Sequence, residues 1–362
     1  MNPGLPGMRV WWPHAVLAGS LLCMRGGLPA EPQSVRSGEV ELSRQVEACI
    51  RLAQHYLASQ QRPEGSFAGN QGEGTGVVAA GVLAWMVSGN LPGQGPYGRQ
   101  VARGLDFLLD SAQPSGLILS GTGDHHAMYH HGLAVLCLAE SYGQTQDRRV
   151  YEKLRKAVDL IVHAQNDAGG WRYQPQPDPR GDLSVTVMQL NALRAARDAG
   201  LAVPGESIRR AVEYVESCAV KNPSGEARAF AYQPRGDVRW STTASGVMSL
   251  MLCGQYRIER VKPALEELIR VRSKGEDRRD WFVYGAYYAA QALYQAAGQS
   301  DEFKGAWVGW YHSLAQVLMK EQLASGGDKG RFQIDGQYGV WSTAMCVLIL
   351  GLPYRYLPIY QR

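Results

Sequence analysis

Two histidines in the segment GDHHAMYHHG have a spacing that could support chemistry. His126 and His130 lie four residues apart, so a helix would place both on one face, as it does for many pairs of metal ligands. Asp124 precedes them and is a third potential ligand. A structural zinc site needs four ligands, and the chain has no second His-x-x-x-His and no Cys-x-x-Cys. We therefore predict no metal and no cofactor, and we keep His126 and His130 as candidate catalytic residues, with a purely structural role at a helix start as the alternative.

An acidic residue precedes each of six helices that we expect to be buried. Carboxylates in this position usually cap the free N–H groups of the first turn and offset the positive end of the helix dipole. The alternative is a ring of carboxylates around one opening, available to a cation or a ligand. Asp182 and Asp237 are the pair that could act in catalysis. The six residues are Glu73, Asp124, Asp182, Asp237, Asp280 and Asp335.

Aromatic residues concentrate at the same helix starts. They include Tyr129, Trp171, Tyr173, Tyr232, Trp240, Trp281, Tyr284, Tyr287, Tyr288, Tyr338 and Trp341. Rings with a polar group suit a partly wet cavity as well as a core. The candidate ligand-binding residues are Asp124, Tyr129, His130, Trp171, Tyr173, Asp182, Trp240, Trp281, Tyr284, Tyr338 and Trp341.

Repeated helical hairpins must position these residues. Two apolar residues, three further residues and a glutamine recur at Gln61, Gln113, Gln165 and Gln322, and the first three glutamines are evenly spaced. Two further copies lack the glutamine, so six units follow one another from Glu41 onward. The recurrence indicates a duplicated repeat.

Each unit joins two kinds of helix. Segments such as VYEKLRKAVDLIV have apolar residues at helical spacing and charges on the other face, whereas VVAAGVLAWM is apolar almost all round. Repeats of this kind cannot bury their apolar faces alone. We therefore predict an all-α fold, a single α6/α6 toroid over residues 41–362, with two concentric rings of six helices and the amphipathic helices outside. The buried helices are expected to begin near Gly74, Met128, Ser184, Ser241, Phe282 and Trp341.

The glutamine motif resembles the QW repeat of squalene-hopene cyclases. Gln165, Gly169, Gly170 and Trp171 form the best copy, and Gln61 begins a similar one in which an aromatic again follows glycine. The chain is identified on these residues as a member of the terpenoid cyclase and protein prenyltransferase toroid superfamily. The resemblance implies the α/α toroid and a ligand cavity at its centre.

The chemistry that the resemblance implies lacks its residues in this chain. Squalene-hopene cyclases protonate their substrate with the middle Asp of Asp-x-Asp-Asp-Thr; here Asp182 and Thr186 match, but Ser184 replaces the proton donor. A hydroxyl is too weak an acid to protonate an alkene. The Asp-x-Cys of zinc-binding prenyltransferases and the Gly-Cys-Gly-Glu-Gln of thioester proteins are also missing. Whether the protein is an enzyme, of a terpenoid-cyclase-like (isomerase or lyase) or carbohydrate-active type, stays open.

Residues 1–30 resemble an export signal, with Arg9 before an apolar run, and residues 31–40 are expected to form a linker. We expect a periplasmic or extracellular protein without a transmembrane helix in its mature chain; an uncleaved anchor is the alternative. Hydrophobic residues make up 45% and charged residues 19%, which indicates a folded soluble domain. No Lys/Arg cluster suggests nucleic acid. Without residues 1–30, which contain Cys23, the chain has five cysteines. Their odd number and their positions in apolar helical segments favour buried thiols over a disulfide framework.

Three functions are compatible with these observations. The first is an exported toroid that binds an isoprenoid or another apolar ligand in its central cavity. The second is a secreted protein-interaction module that binds a protein partner on the rim. The third is a polysaccharide-active α6/α6 enzyme that uses carboxylates such as Asp182 and Asp237 at the mouth.

Overall fold

The structure is a computed structural model that describes residues 40, 42–68, 74–121, 125–254, 257–274, 281–335 and 339–361. The predicted export signal and residues 31–39 of the predicted linker lie outside the described residues, as do Glu73, Asp124, Asp280 and Tyr338. Within the described ranges, no helix is long and apolar enough to cross a membrane.

The inner ring consists of helices that are buried over nearly their whole length. They are rich in Ala, Val, Leu, Gly and Met, which is why they are stable only when covered on all sides. Each begins within two residues of its predicted start. They are α2 (Thr75–Met86), α4 (Ala127–Thr145), α6 (Leu183–Asp198), α8 (Trp240–Leu252), α10 (Phe282–Gln299) and α12 (Gly339–Gly351).

The outer ring consists of amphipathic helices, each of which buries one stripe against its inner partner. In α5, for example, Val150, Leu154 and Ile161 are buried and the intervening charged residues face water. The outer helices are α1 (Arg44–Gln60), α3 (Gly98–Asp110), α5 (Arg148–Ala164), α7 (Gly205–Ser217), α9 (Lys262–Lys274) and α11 (Asp301–Lys320).

The inner ring is closed, and α11 contacts α1 at the same junction of the outer ring. Each inner helix packs against the next, and α12 packs against both α2 and α1, which confirms the predicted single α6/α6 toroid. The inner helices also begin at one end. The N–H of Met128 in α4 donates to the carbonyl of Tyr173 in the loop before α6 (2.9 Å), and the N–H of Leu183 in α6 donates to the carbonyl of Tyr232 before α8 (2.9 Å). Neighbouring loops thereby satisfy N–H groups that a helix start leaves free. We call this end of the toroid the mouth.

The repeated glutamines join one outer helix to the next outer helix. Gln165 Nε2 donates to the carbonyls of Gly169 and Ser207, each at 2.9 Å, and Ser207 belongs to α7. Gln61 Nε2 makes the equivalent bond to the carbonyl of Gln100 in α3 at 2.9 Å. The glutamine is therefore a connector between units, and its recurrence reflects the architecture instead of a shared reaction.

The last glutamine closes the ring. Gln322 Nε2 donates to the carbonyl of Cys49 in α1 at 2.9 Å and to the carbonyl of Gly330 at 3.1 Å. We expect Gln322→Ala to lower the free energy of unfolding by about 1–3 kcal/mol, because two carbonyls lose their donor. Urea titration followed by circular dichroism measures the change. Gln316→Ala, at an exposed position of the same helix, is the control, and an equal loss in both variants would contradict a role in closure.

The glycine of each motif is required by close packing. Gly169 has φ +89°, and a Cβ at this position would lie 2.1 Å from the carbonyl oxygen of Arg210 in α7. Gly65, Gly116 and Gly330 have the same left-handed conformation, and a Cβ on each would lie similarly close to a carbonyl of the next outer helix. Only glycine allows this conformation together with this approach.

The units are numbered 1 to 6 along the chain, from α1 and α2 to α11 and α12, and unit 4, which contains α7 and α8, departs from the all-helical prediction. Where this unit lacks the glutamine, the chain forms an antiparallel hairpin of β1 (Ala219–Lys221) and β2 (Ala227–Phe230), with Ala219 paired to Phe230. The same pairing occurs as the single bridge Gln61–Phe67 in unit 1. The hairpin thus extends a turn that other units also have. Its two strands are too short to show the alternation of apolar and polar residues by which a strand is predicted.

A segment near residue 360 lies within the bore of the toroid. Residues 358–360 contact α4 and α6. The N–H of Ile359 donates to both carboxyl oxygens of Glu140 in α4 (3.2 and 3.3 Å), and the hydroxyl of Tyr360 donates to that of Tyr287 in α10 (3.5 Å). Helices α4 and α10 lie opposite each other in the inner ring, so the segment spans the bore between them. We call residues 357–360 the plug segment.

The five cysteines of the toroid are buried and unpaired, as predicted. Burial raises the pKa of Cys49 to about 12 and that of Cys253 to about 11. A thiol with such a pKa is not a nucleophile near neutral pH. The cysteines are Cys49, Cys137, Cys218, Cys253 and Cys346.

Candidate functional site

Asp182 begins α6 at the mouth and caps it, as the sequence predicts. Its Oδ1 accepts hydrogen bonds from the N–H of Val185 (2.9 Å) and from the hydroxyl of Ser184 (2.7 Å). The residue is 0% exposed. Asp182 therefore contacts other mouth residues and not solvent.

The carboxyl of Asp182 is shielded from water. Burial raises its pKa, while the N–H of Val185, the hydroxyls of Ser184 and Tyr232, and the positive charge of Arg172 lower it in part. Its second oxygen, Oδ2, has no hydrogen bond of ordinary geometry within the described residues, although Tyr232 is close enough to affect its pKa. The carboxyl keeps its proton to a higher pH than an exposed aspartic acid does.

Tyrosine hydroxyls continue from this carboxyl around one side of the mouth. The hydroxyl of Tyr129 in α4 is hydrogen-bonded to Ser184, and the hydroxyls of Tyr173 and Tyr232 are hydrogen-bonded to each other. The Tyr129 and Tyr173 rings are stacked with centroids 6.0 Å apart, and the Arg172 guanidinium lies 5.0 Å from the centre of the Tyr173 ring. The result is one connected network of hydroxyls and rings.

Helix α10 supplies the other side of the mouth and the floor below it. The half-buried Tyr284 packs edge-on against Tyr288 at 4.8 Å, and the hydroxyl of Tyr288 donates to Met188 Sδ in α6 at 3.1 Å. Tyr288 is 1% exposed, and Tyr287 meets the plug segment beside it. Burial raises the pKa of the Tyr284 hydroxyl, while hydrogen bonds with Ser245 and Tyr288 lower it in part. The bore below the mouth is thus occupied by side chains.

The two candidate histidines do not converge. The ring of His126, which is exposed, packs edge-on against Tyr173 at 5.0 Å, whereas Nδ1 of His130 accepts the N–H of Gly76 in α2 at 3.1 Å. The expectation that they share one face is wrong, because His126 is the N-cap residue and lies outside the helix. Across the described residues, no three His, Cys, Asp or Glu side chains are grouped so that they could hold a metal ion.

A third histidine, His131, is the one with an identifiable structural role. It is buried; its Nδ1 accepts the N–H of Ile118 at 3.1 Å, and its Nε2 donates to the carbonyl of Ala157 at 3.2 Å. In unit 3 the corresponding bond joins the N–H of Trp171 to Thr186. His131 therefore replaces the threonine of other units, and aligning the repeats at this position would have revealed it.

The acidic residues serve different purposes. Asp335 caps a neighbouring inner helix, with its Oδ2 accepting the N–H of Val283 in α10 at 2.7 Å. Asp237 is exposed in the loop before α8, whose N-cap residue is Arg239. The two carboxyls lie in different environments, since Asp237 is exposed and Asp182 is buried. The expectation that Asp237 caps its own helix is therefore wrong.

Two of the predicted ligand-binding aromatics are core residues. Trp171 is 0% exposed and its indole N–H donates to the carbonyl of Ile161 at 2.7 Å. Trp240 is buried and stacks on Phe282 at 6.1 Å. This burial contradicts their assignment to a ligand. The predicted residues that are at least partly exposed near the mouth are Tyr129, His130, Tyr173, Trp281, Tyr284 and Trp341.

Sequence reasoning did not select three residues of the network as binding residues. The sequence indicates Ser184 as a helix-capping residue in place of the cyclase acid and Tyr232 as one of many aromatics, and it gives no role to Arg172. The matching segments WRYQP and FAYQP carry Tyr173 and Tyr232 at equivalent positions. That internal match was the available signal that both tyrosines lie at the same level of the toroid.

Neither protein-family models nor curated protein sequences match this chain. Solved structures do. An inactive variant of the α-1,6-mannanase GH76A of Salegentibacter, in complex with α-1,6-mannotetrose, is 11% identical with a TM-score of 0.61, over 87% of this chain and 100% of that one. Cellobiose 2-epimerase from Spirochaeta thermophila is 14% identical with a TM-score of 0.63, over 86% and 96%.

A type II terpene cyclase from Scytonema, in complex with geranylgeranyl dihydroxybenzoate, is also similar. It is 14% identical with a TM-score of 0.53, over 86% of this chain and 98% of that one. Sugar-processing and terpenoid-processing proteins therefore share this architecture, and none of them is close in sequence. These likenesses place the chain among the α/α toroids, and at such identities they extend to the fold alone.

Proposed function

We propose that this protein binds a sugar unit of a glycan at the mouth of its toroid. The observation that carries the proposal is the hydroxyl network of Tyr129, Ser184, Tyr173 and Tyr232, held in place by the buried Asp182. A sugar presents hydroxyls that can exchange hydrogen bonds with such a network and C–H groups that pack on aromatic rings. A few fixed polar groups among aromatic side chains are typical of a small-molecule site.

Asp182 acts in this proposal as a positioning residue. It is buried, so it orients Ser184 and, through Ser184, the hydroxyl of Tyr129. The half-buried Tyr284 on the opposite side adds a further ring to the mouth. Because Asp182 is buried and Asp237 is exposed, the proposal is recognition of a glycan and includes no cleavage step.

A long apolar ligand fits the same residues less well. An isoprenoid would need an extended apolar cavity, whereas Tyr288, Met188 and the plug segment occupy the bore below the mouth. The similarity to the terpene cyclase keeps this alternative testable. Mass spectrometry of an organic extract of the purified protein would support it by detecting a stoichiometric lipid.

The proposal is tested by calorimetric titration with α-1,6-mannotetrose and cellotetraose, which represent the sugars named for two structural neighbours. We expect Asp182→Asn to weaken binding about tenfold, because the amide nitrogen that replaces one carboxyl oxygen cannot accept a hydrogen bond and therefore disturbs the neighbouring hydroxyls of Ser184 and Tyr232. Asp237→Asn, at an exposed carboxylate of the neighbouring loop, is expected to bind like the wild type. Binding by neither sugar, or equal binding by both variants, would contradict the proposal.

A further inference from the structure

Trp281 differs from the other tryptophans in the part of the chain that the structure describes. It is 60% exposed, at the mouth end of α10. An exposed tryptophan leaves a large apolar surface in water, so its presence calls for an explanation. By contrast, Trp341 is partly exposed, and the buried ones are Trp85, Trp171, Trp240, Trp307 and Trp310.

The backbone of Trp281 is strained. Its φ of 55° and ψ of 51° lie in the left-handed region, which a bulky residue seldom adopts. Such conformations persist where the surrounding structure imposes them, and they are frequent at ligand sites. Trp281 directly precedes Phe282, the first residue of α10. The ring of Phe282 is fixed by stacking on Trp240.

Trp281 lies at the solvent end of a stripe of aromatic residues at the start of α10. Tyr284 and Tyr288, four residues apart, share one face of the helix, and Trp281 is the N-cap residue that precedes them. Exposure falls along this stripe from 60% at Trp281, through the half-buried Tyr284, to 1% at Tyr288. Val238, on the loop before the neighbouring helix α8, is also exposed, at 48%. The stripe therefore leads from solvent into the mouth.

We infer that Trp281 is an aromatic platform for a second sugar unit, outside the one in the mouth. The inference rests on the proposed function and specifies its ligand class: an oligosaccharide whose terminal unit enters the hydroxyl network and whose next units lie over the indole ring. A monosaccharide occupies the mouth alone and does not reach the platform. Affinity should therefore rise with chain length, and Trp281 should account for the rise.

Matched titrations with a monosaccharide and its oligomer test this inference. The probes are mannose with α-1,6-mannotetrose, and glucose with cellotetraose. We expect Trp281→Ala to weaken binding of the tetrasaccharide about tenfold or more, the usual effect of losing an aromatic anchor, and to leave the monosaccharide unaffected. Trp281→Tyr, which retains a ring, should restore most of the affinity. Tyr356→Ala, at another exposed ring, is the control.

The possible outcomes separate the two proposals. If the wild type binds none of the four sugars, both proposals are overturned. If it binds tetrasaccharides and Trp281→Ala binds them equally well, only the platform is overturned. If Trp281→Ala weakens binding of the monosaccharide and of the tetrasaccharide to the same extent, Trp281 belongs to the mouth itself, and the second subsite is overturned. An unchanged unfolding temperature of Trp281→Ala would accompany the expected result, since the side chain is mostly in water.

Discussion

Replacing Gly169 by alanine will destabilise the toroid by roughly 3–5 kcal/mol, a left-handed φ penalty plus overpacking. The added Cβ would lie 2.1 Å from the carbonyl oxygen of Arg210. Neither partner can move easily, because that carbonyl belongs to the backbone of α7 and Gln165 fixes the preceding turn to the same helix. We expect the loss of stability to appear as a lower midpoint in urea unfolding with little change in slope.

Gly200→Ala is the matched control for this prediction. Gly200 has nearly the same conformation, φ +95° compared with +89° at Gly169, but nothing lies within 4 Å of the position of its Cβ. The control measures the conformational penalty alone, about 1 kcal/mol. If the two variants lost the same stability, close approach to α7 would not be the reason for the glycine.

Two buried titratable groups will give the stability a pH dependence of opposite signs. Burial raises the pKa of Glu140 from 4.5 to about 8, so this group makes the folded state less stable as the pH rises between those values. Burial lowers the pKa of His131 from 6.5 to about 4, so this group makes it less stable as the pH falls through that range. Between pH 4.5 and 6.5 the two effects largely cancel.

Glu140→Gln and His131→Thr will separate these effects. We expect Glu140→Gln to gain stability relative to the wild type as the pH rises from 4.5 to 8, by a few kcal/mol in total, since one pKa unit corresponds to about 1.4 kcal/mol. His131→Thr introduces the threonine of unit 3 and removes the titrating group. Its free energy of unfolding should no longer fall because of this group between pH 6.5 and 4, and it should be lower than that of the wild type near neutral pH because the side chain is smaller.

Urea unfolding at a series of pH values measures both differences. Glu152→Gln, at an exposed glutamate of α5, should follow the wild-type profile throughout. A Glu140→Gln profile parallel to that of the wild type would mean that the carboxyl of Glu140 titrates normally and is not sealed beneath the plug segment.

The fold was predictable because repetition supplies the same information several times. The glutamine and glycine recur because each unit must join the next one, and the apolar helices recur because each must be buried on all sides. The hairpin at Ala219–Phe230 was not predictable, since it occurs in one unit only and its strands are three and four residues long.

The site was predictable in its location but not in its connections. The sequence predicts that Asp182, Tyr129 and Tyr173 lie at the mouth because each precedes an inner helix or lies in its first turn. Their hydrogen-bond partners depend on which way each side chain turns, and periodicity gives no information about that. Trp171 shows the limit: it begins the same segment as Tyr173, yet its indole turns into the core.

His131 shows how a substitution within a repeat can mislead. Its neighbours His126 and His130 formed a pattern that indicates metal ligands, whereas His131 keeps a bond that threonine makes in unit 3. A comparison of unit 2 with unit 3, residue by residue, carries more information here than spacing within unit 2.

The plug segment has a consequence for how any chain-like ligand travels. With Ile359 held by Glu140 and Tyr360 against Tyr287, the plug segment lies across the bore. A glycan that entered at the mouth would meet the plug segment and could not pass through the toroid. If the protein binds glycans as proposed, only chain ends would bind in the mouth, and the bound fraction of the protein would depend on the number of chain ends in the sample and not on the mass of glycan.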